Sequence, residues 1–234
     1  MESSDIIRDD WSVPAKLEWI ISSPELSADT LIELCVQARR YHVGAIRVSP
    51  YYAAEAAEAL RNSGVTVCAI LGDPGGNESP IARLEDAKRS LYAGATALIM
   101  PINMMAVRSG RLSDVREEIS QIVQAAIGKA TISLTIGSEL IRDDDAIKVL
   151  NLIKSSGVDY VNLHRWPVDS ERNETDFETV KRYLGSNVGV TVEGDFYTLE
   201  SVKRVIHSGA DKIGLPDALA IIREIESRPL MGRA

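Results

Sequence analysis

One unit recurs along this chain: a short apolar run, a turn of small residues, an amphipathic stretch, then another apolar run. The clear runs are AIRVSP (45–50), VTVCAILG (65–72), TALIMPI (96–102), ATISLTIG (130–137), DYVNLHR (159–165), VGVTVEG (188–194) and DKIGLP (211–216). A weaker one, KLEWIIS (16–22), precedes them. Runs of this length, rich in Val, Ile and Thr, suit strands covered on both faces, as in a parallel sheet. Helical patterns fill the intervals at 28–42, 49–64, 80–95, 112–128, 143–157, 176–186 and 198–209. The first places Leu31, Leu34, Cys35 and Ala38 on one face, and several end in glycine, including Gly64, Gly94, Gly157 and Gly209. Eight strands joined by right-handed helical crossovers predict an α/β protein with a single (β/α)8 TIM barrel. The rival, an open doubly wound sheet, would want a GxGxxG first turn, and none is present.

The 234 residues, 45% of them hydrophobic, suffice for one sizeable core. One barrel domain is therefore expected across 1–234, with 1–15 as an N-terminal extension. A net charge of -8 argues against a nucleic-acid partner. No apolar run reaches the roughly 18 residues of a membrane span, and the acidic N-terminus MESSDIIRDD lacks a signal pattern. A cytoplasmic location is expected. Cys35 and Cys68 have no Cys or His at metal spacing and read as buried thiols in a reducing compartment. Neither a metal nor a cofactor is expected.

Three stretches carry a resemblance: SPYYAAEAAEAL (49–60), INMMAVRSGRLSDVREEI (102–119) and SGADKIG (208–214). In these the chain resembles the deoxyribose-phosphate aldolases, from about Leu17 to about Ile222. The resemblance implies a compact barrel and class I aldol chemistry. In that family a lysine on strand six forms an imine with the aldehyde. A second lysine on strand seven lowers the first one's pKa, and an aspartate on strand four takes part in proton transfer. Matched by motif, those positions are Asn162, Thr191 and Ile99. An imine needs a primary amine, so Asn and Thr cannot substitute. Lys16 and Lys212 lie in strand patterns, but Lys212 stands at the start of its strand, away from the catalytic end. The family's phosphate cradle matches Glu193-Gly194-Asp195 and Leu215-Pro216-Asp217-Ala218. Three carboxylates there, and a proline lacking an N–H, disfavour a phosphorylated ligand unless Arg165 compensates. A neutral or cationic small molecule is the expected partner, and dimerisation is suggested by the resemblance alone.

Strand alternation gives an inventory of the pocket. If Asn162 points inward, so does His164; if Thr191 does, so does Glu193. His164 and Glu193 are the catalytic candidates, because an imidazole exchanges protons near neutral pH and a carboxylate can orient it. The bland alternative for His164 is a satisfied structural histidine. Arg47 is either a buried partner of Glu18 or a clamp for a carboxylate or enolate. Glu18, Thr135, Asn162, Arg165, Thr191 and Asp217 complete the candidate binding set, with Glu139 from the strand-five loop. Trp19 and Trp166 could wall an apolar ligand, or Trp166-Pro167 could be a packed corner. His42 and His207, near helix C-termini, read as structural. GDPGGN (72–77) lacks the GK[ST] of a nucleotide loop, and the acidic turn at 141–147 reads as a solvated helix start.

Three readings follow. In the first, an aldolase-like barrel performs a different reaction on a small carbonyl compound, as a lyase, isomerase or cyclase using general acid–base groups. In the second, the barrel is a non-catalytic binding or partner protein. The third keeps aldolase activity through a displaced lysine.

Overall fold

The computed structural model describes residues 10–137, 140, 144–165 and 173–228, with the backbone alone for 173–176. Eight parallel strands close into a barrel in sequence order, β1 to β8: Leu17–Ile21, Ala45–Val48, Thr66–Ile70, Ala97–Pro101, Thr131–Gly137, Tyr160–His164, Gly189–Glu193 and Lys212–Leu215. Closure is direct, since Leu17, Glu18 and Trp19 of β1 pair with Ile213, Gly214 and Leu215 of β8. Each strand lies inside one of the eight expected runs. The architecture is the single (β/α)8 barrel that the alternation predicts.

Helices wrap the strands: α1 (Ala28–Arg40), α2 (Ala53–Ala59), α3 (Pro80–Tyr92), α4 (Met104–Arg108), α5 (Leu112–Ala126), α6 (Ala146–Ser155), α7 (Asn173–Leu184), α8 (Leu199–His207) and α9 (Ala218–Ser227). Side-chain oxygens start several of them. Ser27 accepts from the Thr30 N–H at 3.2 Å, and Thr198 accepts from the Ser201 N–H at 3.2 Å. The pattern at 49–64 resolves into a 3-10 turn at Pro50–Tyr52 followed by the short α2. Neither α4 nor α9 is among the seven expected helices. The buried face of α9, Ala218, Ile221, Ile222 and Ile225, has the i, i+3, i+4, i+7 spacing that would have revealed it.

Strand alternation divides the interior into two cores. Outward residues such as Trp19, Ile46, Val67, Leu98, Leu134, Val161, Val190 and Ile213 pack against the helices in one continuous layer. Inside the barrel the apolar cluster is small, with Cys68, Ala97 and Ile99 packed against Ile70. The rest of the bore is polar and charged: Glu18, Arg47, Asn162 and Thr191 are all buried. An interior filled with charge rather than Val, Ile and Leu is unusual for this architecture. It directs attention to how those charges are paired.

Candidate active site

Arg47 is the hub of the bore. Its β2 position points the side chain inward, and it is 1% exposed. The guanidinium lies against the Gly214 backbone, where a Cβ would come within 3.1 Å of both terminal nitrogens. Nε donates to Glu18 Oε2 at 2.8 Å and Nη2 to the same oxygen at 2.5 Å. Nη1 donates to Glu193 Oε2 at 2.5 Å, and Nη2 also reaches Asn162 Oδ1 at 3.1 Å. The other oxygen of Glu18 takes Lys212 Nζ at 3.0 Å. Lys212 in turn sits over the Tyr160 ring at 4.0 Å.

A chain of alternating charge therefore runs up the barrel from Lys212 through Glu18, Arg47 and Glu193 to His164. Asn162 braces it from the side, its amide donating to Glu193 Oε2 at 2.8 Å and to Thr135 Oγ1 at 3.2 Å. At the top, His164 Nδ1 lies 2.7 Å from Glu193 Oε1. Burial pushes the Glu193 carboxyl up, but the His164 hydrogen bond, the Arg47 charge and the Asn162 amide outweigh it and hold the group down at about 2. Glu18 also lies below the usual carboxylate range, its burial outweighed by Arg47 and Lys212. An ionised carboxylate only accepts, so Nδ1 carries the proton in neutral His164 and Nε2 is the basic nitrogen.

The depressed carboxyl has a stability consequence with a definite sign. Glu193 titrates lower when folded than its ordinary 4.5, so its contribution is fully present above that value and is lost as pH falls toward about 2. The whole shift corresponds to about 3 kcal/mol, of which about 2 is gone by about pH 3. Urea midpoints between about pH 6 and pH 3 should fall more steeply for the wild type than for Glu193→Gln. Parallel profiles would refute this.

Above the chain opens a cavity of about 230 Å³ at the C-terminal ends of the strands, where barrels carry their sites. Thr135, His164, Glu193 and the top of Arg47 line one side, and Ile20, Ile70, Ile99 and Pro101 line the other. Leu71, Gly72, Asp73 and Pro74 close the wall from the β3 loop. That wall is braced. Asp73 spends its carboxylate on its own turn, accepting from Gly75 N at 2.6 Å and Asn77 N at 3.2 Å. Glu78 accepts from the Asp73 N–H and from buried Arg83, which also pairs with Glu118 at 2.7 Å and donates to the Pro101 carbonyl at 3.0 Å. The GDPGGN segment thus contributes a braced wall to the cavity while Asp73, Pro74, Gly75 and Asn77 remain exposed. A loop's position against other strands has no local signature, and the sequence reading missed this role.

Several expected contacts lie elsewhere. Glu18, Asn162 and Thr191 are buried beneath the cavity rather than lining it; among the described residues Thr191 Oγ1 has no hydrogen-bond partner. Asp217 caps α9, accepting from the Ala220 N–H at 3.1 Å, and does not line the cavity. Trp19 is one residue out of phase with inward Glu18 and Ile20, so it faces the helices and donates to the Pro216 carbonyl at 3.0 Å. The three carboxylates expected to repel a phosphate differ in their surroundings. Glu193 is drawn into the bore, Asp217 is used as a cap, and Asp195 is exposed. Arg165 ends β6 exposed, on left-handed backbone with φ of 57°. Glu139, Trp166 and Pro167 lie outside the described residues, as do residues 141–143 of the acidic turn. Among the described residues no group of His, Cys, Asp and Glu could hold a metal ion, and no helix is long and apolar enough to cross a membrane.

No family model matches the chain. Curated deoxyribose-phosphate aldolases do: that of Staphylococcus haemolyticus (strain JCSC1435) is 29% identical over 211 residues, 90% of this chain and 96% of the relative. That of Clostridium tetani (strain Massachusetts / E88) is 26% identical over 208 residues, 89% of this chain and 96% of the relative. Among solved structures, "QR15, an Aldolase" superposes with a TM-score of 0.81 at 21% identity, covering 92% of this chain and 96% of the other. The tetrameric deoxyribose phosphate aldolase from Aeropyrum pernix gives 0.78 at 21% identity, covering 97% and 99%. The chain is an aldolase-like barrel, related in sequence to the deoxyribose-phosphate aldolases over nine-tenths of its length.

Proposed function

We propose that this barrel is an enzyme that moves protons on a small carbonyl compound with His164 as general base and acid, without an imine. Lyase, isomerase and cyclase reactions share that requirement. The observation that carries the reading is the 2.7 Å contact between His164 Nδ1 and a Glu193 carboxylate itself fixed by Arg47 and Asn162. The carboxylate holds the ring in one tautomer, stabilises the imidazolium formed when Nε2 takes a proton, and leaves Nε2 without a protein partner among the described residues. His164 lines the cavity with its side chain 38% exposed. A proton alpha to a carbonyl can pass to Nε2, and the Thr135 hydroxyl, also at the cavity wall, can donate to the developing oxyanion.

The amide of Asn162, at the position matching the family's imine-forming lysine, is committed to Thr135, Glu193 and Arg47. No lysine lines the cavity among the described residues. Borohydride treatment in the presence of acetaldehyde or deoxyribose phosphate should therefore leave the intact mass unchanged, while a lysine-dependent aldolase run in parallel is trapped. A lysine adduct mapped in this chain would overturn the imine-free reading. The catalytic assignment is tested by alpha-proton exchange in deuterated water over a panel of small aldehydes and ketones, comparing the wild type with His164→Ala.

The alternative, a barrel that binds without catalysis, predicts a mouth filled by side chains or by a neighbouring chain. The cavity beside His164 favours the enzyme over a mouth filled by the chain's own side chains.

A further inference from the structure

The cavity is divided by chemistry as well as by shape. Three of its hydrogen-bonding groups, Thr135, His164 and Glu193, come from consecutive strands β5, β6 and β7. The facing wall is hydrocarbon: Ile70 of β3, Ile99 and Pro101 of β4, and Ile20 of β1, extended by Pro74 from the braced loop. Ile99 belongs to the apolar cluster inside the bore with Cys68 and Ala97, so this wall continues into a buried apolar floor. Two side-chain oxygen groups flank that wall, the Ser22 hydroxyl just past Ile20 and the Asp73 carboxylate, and Asp73 is bonded to its own turn.

The charges in the cavity are matched before any ligand arrives. Arg47 is bonded to Glu18, Glu193 and Asn162, and it is 1% exposed. Other than Arg47, His164 is the one described lining residue that can carry positive charge, and it faces the Glu193 carboxylate. An anionic group entering here would meet Glu193 and Asp73 with no unmatched cation among the described lining residues. Burying a charge without a partner is costly, and so is burying a hydroxyl against hydrocarbon. A polyol or a phosphate ester would do one or both.

Building on the catalytic reading above, we infer that the site takes an uncharged, short-chain hydroxycarbonyl compound with an aliphatic end. The oxygen-bearing end lies toward Thr135 and His164, and the hydrocarbon end lies against Ile70 and Ile99, which set the specificity. A cavity of about 230 Å³ exceeds one that just holds benzene, so it accommodates about seven or eight non-hydrogen atoms. Each methylene laid against such a wall raises affinity about fourfold until the space is full.

The test is ligand-observed NMR binding of a homologous series of β-hydroxy methyl ketones, from the butanone to the hexanone. Deoxyribose and deoxyribose phosphate are titrated alongside. Affinity should rise about fourfold per methylene, and both sugars should bind more weakly than the pentanone. Ile70→Ser and Ile99→Ser should each flatten the series; Ile70 is only half-buried, so its variant remains informative if the Ile99 variant does not fold. A flat wild-type series, absence of binding by every ketone, or tighter binding of either sugar overturns the inference. So does a series that stays steep in a folded Ile70→Ser variant. Its failure is distinguishable from failure of the catalytic reading. A steep series with alpha-proton exchange that persists in His164→Ala leaves this inference standing and removes the base. Exchange that requires His164 but acts on a sugar phosphate does the reverse.

Discussion

Replacing Arg47 with methionine should cost the fold about 3–5 kcal/mol, read as a lowered urea midpoint with an unchanged slope at neutral pH. The side chain is removed from a site 1% exposed, between two carboxylates it joins. Glu18 keeps Lys212 at 3.0 Å, whereas Glu193 is left with His164 and Asn162. A buried carboxylate deprived of its cation bears its full desolvation penalty, which exceeds what the pair contributed to stability. Adding Glu193→Gln to the methionine variant should recover part of the loss, because the second substitution removes the orphaned charge. The two changes are then non-additive by at least about 1 kcal/mol. Arg47→Lys should not rescue, since one ammonium cannot span Glu18, Glu193 and Asn162 as the forked guanidinium does. A methionine variant within about 1 kcal/mol of wild type would mean that the bore does not depend on this ion pair.

The second large effect is kinetic. His164→Ala should slow alpha-proton exchange on the responsive carbonyl compound about 10²- to 10⁴-fold, the usual worth of a positioned acid–base group. Its stability should change little, because the ring is partly exposed and Glu193, its hydrogen-bond partner among the described residues, retains Arg47 and Asn162. Glu193→Gln should fall within the same range for a different reason. An amide can present its NH₂ to Nδ1, which favours the opposite tautomer and removes the basic Nε2. The contrast with Arg47→Met separates the groups: His164→Ala loses rate with the fold intact, and Arg47→Met loses fold. Full exchange in His164→Ala, on a substrate the wild type turns over, would remove the histidine from the mechanism.

The barrel was legible because parallel strands buried on both faces write themselves as unbroken apolar runs, and their spacing leaves room for one helix each. Inward-facing residues were legible through the two-residue period, which links Asn162 to His164 and Thr191 to Glu193. The same period places Trp19 outward, since Glu18 points inward, and assigning it to the pocket overlooked that. Asp217 was also readable as a cap, an aspartate immediately before the apolar periodicity of α9. What no local pattern contains is distance across the bore. Arg47 was expected to choose between Glu18 and a ligand; instead it bridges Glu18 and Glu193, 146 positions away in the chain. The wall built by residues 71–74, and its brace through Glu78, Arg83 and Glu118, depend likewise on where three separate segments meet.

The stacking of Lys212 on Tyr160 at the far end of the bore has a consequence for what a ligand rests on. The Tyr160 ring also covers Gly189, where even a Cβ would collide with it at 2.4 Å. Lys212, Glu18 and Arg47, joined in series, occupy the bore on the way to the cavity, so a ligand beside His164 rests on a plug of paired charge rather than on the aliphatic layers usual to this architecture.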